Sequence, residues 1–217
     1  MTRKMSGERL HLGCGPVILP GWVNLDNQPY EGVDRVVDVR QGLPYEDVAL
    51  IFAEHFLEHF ELEEGLALLR ECRRALSDDG VLRLTTPNLD WVWATSYSTR
   101  WTPTTDTTAV LDVSTWQHDL AAADDCVTLN RAFRGWGHRF LYNQAMLEEA
   151  LRRAGFAYVV WRTYGDSDHP ELRGLERHPR SPDTPELPHV IVAEAWGRAE
   201  ERERVDLREY LRDLRVV

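Results

Sequence analysis

The chain has 217 residues, a formal net charge of −11 at pH 7, 43% hydrophobic and 28% charged residues, enough for one α/β domain with a full core. A charge this negative disfavours a nucleic-acid binder, whose phosphate affinity comes from clustered Lys and Arg, and no apolar run approaches the roughly 18 residues that cross a bilayer. Cys14, Cys72 and Cys126 form no CxxC pair and no apolar signal core follows the basic N-terminus, so the expectations are a cytoplasmic protein with no disulfide framework, no bound metal and no membrane partner.

In chain order, "RLHL" (9–12) predicts a strand running into Gly13-Cys14-Gly15, a turn in which glycine removes the side-chain obstacle to a ligand. "WVNLD" (22–26) predicts a second strand, but the segment between holds Pro16 and Pro20 and is too short for an ordinary helix. "VDRVVDV" (33–39), "ALIFAEH" (49–55) and "VLRLTTP" (81–87) predict three more strands. Between the last two, residues 61–80 are helical: Leu62, Leu66, Leu69, Cys72 and Leu76 share one face, and Gly80 is the expected stop. A second helix covers 143–155, with Asn143 as N-cap and Gly155 as terminator. "FAYVVWRTY" (156–164) and "HVIVAEAWG" (189–197) close the set. Strands alternating with helices imply a mostly parallel, doubly wound sheet that binds ligands at its carboxyl edge.

Residues 88–135 break the rhythm with Trp91, Trp93, Trp101, Trp116 and, just beyond, Trp136. A segment this long with so many tryptophans is expected to be functional, a substrate lid whose aromatics mostly anchor it to the sheet. The charged tail at 199–215 predicts a helix with Leu207, Tyr210, Leu211 and Leu214 on one side, able to dock on the domain or on a second subunit as a homodimer.

Short motifs discriminate weakly. The GxG at 13–15 could be a strand-ending turn. Asp26 at the second strand end can accept both ribose hydroxyls of a nucleoside, or cap a turn. Asp38 stands where an adenine amino group would lie, or caps its own strand. Three candidate contacts at three successive strand ends are harder to dismiss than one.

Together these residues resemble a class I S-adenosylmethionine (SAM)-dependent methyltransferase, and more narrowly a small bacterial branch with a glycine loop followed closely by "GW-N-D". The resemblance rests on "LHLGCG" (10–15), "GWVNLD" (21–26), "DVRQGLPYED" (38–47), "EHFLEHF" (54–60), "LRECRRALSDDGVLRLTTPN" (69–88) and "HRFLYNQAMLEEALRRAGF" (138–156). "YGDSDHPELRGLERH" (164–178) is also similar to this branch, a polar segment placed for the far rim of the site. The resemblance implies one Rossmann-like α/β domain: a seven-stranded sheet, the last strand antiparallel, with helices on both faces. It places Gly13, Cys14 and Gly15 beside the methionine end of SAM, Asp26 on the ribose, Asp38 and Val39 about the adenine, and Glu54 and His55 near the sulfonium. His11 and Asn27 complete the expected cofactor contacts. His11 departs from the family, which has an acidic residue two before the first glycine. The 13 positions from Gly13 to Asp26 also fall short of the roughly 20 of a dinucleotide fingerprint.

Because SAM carries an activated methyl group, such an enzyme must align the acceptor, exclude water and sometimes remove a proton. The candidates for that chemistry are His55, His59, His138 and Tyr142; the alternative for His59 is a helix-start role, and for His138 and Tyr142 a core or capping role. The expected activity is methyl transfer to a small molecule, a sugar or specialised metabolite. The alternatives are cyclisation or aminopropyl chemistry releasing methylthioadenosine, and a non-catalytic binding module.

Overall fold

The computed structural model describes residues 7–101, 125–178 and 181–199, without side chains for 96–101 and 125–128. The expected lid falls partly, and the expected tail helix almost wholly, outside the described residues. Among them, no helix is long and apolar enough to cross a membrane.

The strands are β1 (Arg9–Leu12), β2 (Val23–Asp26), β3 (Arg35–Val36), β4 (Val48–Glu54), β5 (Leu76–Pro87), β6 (Phe156–Trp161) and β7 (Val190–Arg198). They form one sheet in the order β3-β2-β1-β4-β5-β7-β6. β7 runs antiparallel to both of its neighbours, and the remaining pairs are parallel. The chain reverses direction across the sheet between β1 and β4, the switch point where open α/β sheets hold ligands.

α1 (Leu62–Ala75) and α4 (Gln144–Arg153) pack on one face, against Leu10, Leu12, Ile51, Ala53, Leu82 and Leu84. The alternate residues of the same strands point the other way. There Leu50, Phe52 and Val81 join Leu19, Trp22 and Leu172 in a second cluster. Leu19 and Trp22 bring the crossover at 16–22 onto this second face, and Leu172 brings the segment 165–178.

Three sequence expectations change in detail. The third strand shrinks to two residues because Asp38 caps a 3-10 turn at Val39–Gln41 and diverts the chain. The first helix ends at Ala75, five residues before Gly80, and Leu76 already pairs with Val48 in the sheet. Gly80 instead permits a close approach, since a Cβ there would stand 2.7 Å from the Val48 carbonyl. Among its described residues the 88–135 segment holds α2 (Leu89–Trp101) and α3 (Asp125–Arg134). Trp91 is buried and meets His189 edge-on at 4.4 Å, as anchoring requires, whereas Trp93 and Trp136 are 51% and 58% exposed. Asn143 caps α4 as expected, its Oδ1 accepting from the Met146 N–H at 2.9 Å, and Gly155 follows with φ +95°.

Candidate cofactor and acceptor site

Gly13 and Gly15 adopt left-handed conformations, φ +62° and +53°, which glycine reaches without a side-chain penalty. Asp26 then fastens the loop. Its Oδ2 accepts from the Gly15 N–H and its Oδ1 from the Gln28 N–H, both at 2.9 Å.

The crossover that replaces the helix is organised by Asn24. Its Oδ1 accepts from the Leu19 N–H at 2.9 Å, and its Nδ2 donates to the carbonyls of Leu19 and Trp22 and to the Asp34 carboxylate. His11 completes this knot, with Nδ1 3.1 Å from Asn24 Oδ1. That oxygen can only accept, so Nδ1 carries the proton. The ring stacks on Phe52 at 5.3 Å, and burial lowers its pKa against the raising effect of Asn24. His11, expected at the methionine end, thus braces the crossover on the second face. A carboxylate here would set acceptor against acceptor at Asn24, a physical reason for the missing acid.

Gly13, Asp26, Asn27, Asp38 and Val39 line one cleft at the carboxyl ends of β1–β3, walled by the rings of Phe56 and Phe60. Asp38 lines it while capping the following turn through the Arg40 N–H at 3.1 Å. Cys14 contributes backbone, its N–H donating to the Leu25 carbonyl at 3.1 Å. Its thiol is buried, and desolvation pushes its pKa up to about 11. A Cβ on Gly13 would lie 2.2 Å from the Phe56 ring. Gly13→Ala should therefore destabilise the chain by about 1–3 kcal/mol through overpacking and strain, read as a lower urea midpoint. An unchanged midpoint would show that Phe56 yields freely.

Beyond the cleft, at the ends of β4 and β5, polar groups crowd together. Glu54 accepts from the N–H groups of Arg177 and His178 at 2.9–3.0 Å, so its carboxylate holds the 165–178 segment at the carboxyl edge. His55 has φ +48°, uncommon for a residue with a side chain and concentrated at functional sites. Its Nδ1 lies 3.1 Å from Glu58 Oε1, its Nε2 is buried without a hydrogen-bond partner, and its ring packs on His178 at 4.3 Å. Glu58 is wholly buried and accepts from the Thr86 hydroxyl at 3.1 Å. Burial works to raise its pKa, yet the bond to His55 and that ring's charge hold it below the ordinary value.

His59 and His138 meet edge-on at 5.3 Å. The His138 Nδ1–H donates to the Ala132 carbonyl at 2.8 Å, which fixes the tautomer and leaves the lone pair on Nε2. Burial lowers its pKa. Tyr142 takes its alternative, a core role: it is 0% exposed, stacks edge-on with Phe140, and has its hydroxyl pKa raised by burial.

Seven strands in this order, with the final one reversed, match what the resemblance implied. The fold is a Rossmann-like α/β fold built on one mixed seven-stranded sheet. No family model and no curated protein sequence matches the chain. Solved structures similar to it include the SAM-dependent methyltransferase SibL in its apo form, 15% identical over 88% of this chain and 51% of that one, TM-score 0.48. PigF with SAH is 15% identical over 87% of this chain and 50% of that one, TM-score 0.48. The DhpI-SAH complex is 13% identical over 89% of this chain and 78% of that one, TM-score 0.47. The chain spans about half the length of SibL and PigF.

Sequence reasoning passed over Asn24, Phe56, Glu58 and Thr86. Asn24 carried a signal: a polar residue between apolar ones in a strand, beside a crossover too short for a helix, must satisfy that loop's backbone. Glu58 carried none, since an acid between two histidines reads as a solvated turn.

Proposed function

We propose that the chain is a SAM-dependent methyltransferase acting on a small-molecule acceptor, a sugar or specialised metabolite. The observation that carries this reading is the convergence of the glycine loop, Asp26 and Asp38–Val39 on one cleft at the switch point of the sheet. SAM supplies, when bound, a methyl group on a sulfonium, a leaving group that needs no protein nucleophile.

The chain's own residues then bind and orient. Each Asp26 oxygen already accepts one backbone N–H and keeps a lone pair for a ribose hydroxyl. Asp38 and Val39 flank the adenine, and Phe56 and Phe60 form the apolar wall that excludes water. His55, which follows β4, faces the acceptor. The net charge of −11 favours a small acceptor over a polyanion.

Incubation with SAM and a panel of hydroxyl- and amine-bearing small molecules, followed by mass spectrometry, tests this reading. S-adenosylhomocysteine with an acceptor heavier by one methyl group is the expected result. Methylthioadenosine as the sulfur product would replace methyl transfer by cyclisation or aminopropyl chemistry, and a chain that binds no SAM at millimolar concentration would be a binding module.

A further inference from the structure

We propose that Glu58, His59 and His138 form a binding site for a divalent transition-metal ion of the zinc type, on the acceptor side of the cleft. One carboxylate oxygen and two imidazole nitrogens lie within 4.8 Å of one another.

Three observations make this more than a chance grouping. First, Glu58 is 0% exposed, and the cationic groups acting on it, His55 at 3.1 Å and the adjacent His59, are imidazoles charged only when protonated. A buried carboxylate without a permanent cation is costly, and a metal ion would supply the missing charge. Second, the Ala132 carbonyl holds the His138 Nδ1–H, the outer-shell bond that sets a histidine's tautomer and presents Nε2 as a ligand. His55 and Thr86 do the same for the carboxylate, bonding Glu58 Oε1 and Oε2. Third, the two chain segments are already joined. The Arg139 and Phe140 N–H groups donate to the Glu58 carbonyl at 2.7 and 3.2 Å, so the donors are assembled before any ion arrives.

Two imidazoles and one carboxylate suit Zn2+, Co2+ or Fe2+, not Mg2+ or Ca2+, which prefer all-oxygen shells. Three protein donors leave a position open, as catalytic zinc sites do. Its use rests on the methyl-transfer reading: a hydroxyl oxygen of the acceptor occupying that position would have its pKa lowered. Binding itself does not depend on that reading.

The test is therefore made on the full chain with metal alone. Titration with Co2+, followed by its visible absorption, and with Zn2+ by calorimetry should show one high-affinity ion per chain. Affinity should fall as pH drops, because the imidazoles must be neutral to ligate. His138→Ala and His59→Ala should each weaken binding by more than about 100-fold, beyond the 10–100-fold typical of outer-shell partners. Both side chains are part-exposed, so circular dichroism should show the fold retained, and Zn2+ should raise the unfolding midpoint of the unsubstituted chain but not of either variant. Absence of uptake by the unsubstituted chain overturns the proposal, as does uptake that survives both substitutions. SAM binding, measured separately, distinguishes either failure from failure of the methyltransferase reading.

Discussion

Arg83→Met should destabilise the protein by about 3–5 kcal/mol, the usual cost of stranding buried charges by removing their partner. Arg83 stands in the middle of β5 with its side chain 0% exposed. Its Nε donates to Glu176 Oε1 at 2.7 Å, Nη2 donates to the same oxygen, and Nη1 donates to Glu194 Oε1 at 2.8 Å and to the Asp166 carbonyl at 2.9 Å. Both glutamate side chains are also fully buried. Arg162 reaches the second oxygen of Glu194 at 2.8 Å, so Glu194 would keep a cation in the variant while Glu176 would have none. The consequence extends to the site, because Glu176 directly precedes the two residues whose N–H groups Glu54 accepts. Loss of Arg83 should free the 165–178 segment from the second face and open the acceptor edge. Equilibrium urea unfolding measures the first effect, and a change below about 1 kcal/mol would show that the pairs only balance their desolvation.

Asn24→Ala should cost about 2–6 kcal/mol, since it leaves the buried Leu19 N–H and the His11 Nδ1–H without their acceptor, at about 1–3 kcal/mol for each orphaned group. It also removes the Nδ2 bonds to the Leu19 and Trp22 carbonyls, so the whole crossover loses its anchor. The glycine loop runs directly into that crossover, and SAM affinity should fall along with stability. Asn24→Asp keeps an acceptor for Leu19 and His11 but loses the donors and places a second carboxylate beside Asp34, so it should rescue only part of the loss. Stability of Asn24→Ala within about 0.5 kcal/mol of the unsubstituted chain, the range of an ordinary surface substitution, would mean that the crossover is held by something other than this residue.

These two residues mark where the sequence was legible and where it was not. The glycine turn, Asp26, Asp38 and the two packed helices could be read because their signals are local: a φ that favours glycine, an acid at a strand end, a 3.6-residue apolar period. His11 was legible as an anomaly but not as a solution, because its partner Asn24 lies across a parallel strand pair whose register no short motif encodes. The Arg83 network is further removed. Its partners Glu176 and Glu194 lie 93 and 111 positions away, so a charged residue in an apolar run gives no hint of what neutralises it. Gly80 was misassigned for a related reason. A glycine after a helix reads as a terminator, whereas here the close approach of the Val48 carbonyl requires it. The grouping of Glu58 and His59 with His138 likewise depends on a chain crossing that places distant residues side by side.

The central claim is that the cleft bounded by Gly13, Asp26 and Asp38 holds the nucleoside of SAM, and a calorimetric titration of S-adenosylhomocysteine into the unsubstituted chain and Asp26→Ala tests it most directly. The unsubstituted chain should bind one equivalent, and Asp26→Ala should bind about 5–150-fold more weakly, equivalent to about 1–3 kcal/mol for the lost ribose acceptor. Equal affinity in the two proteins, or no binding by either at millimolar concentration, would contradict the assignment.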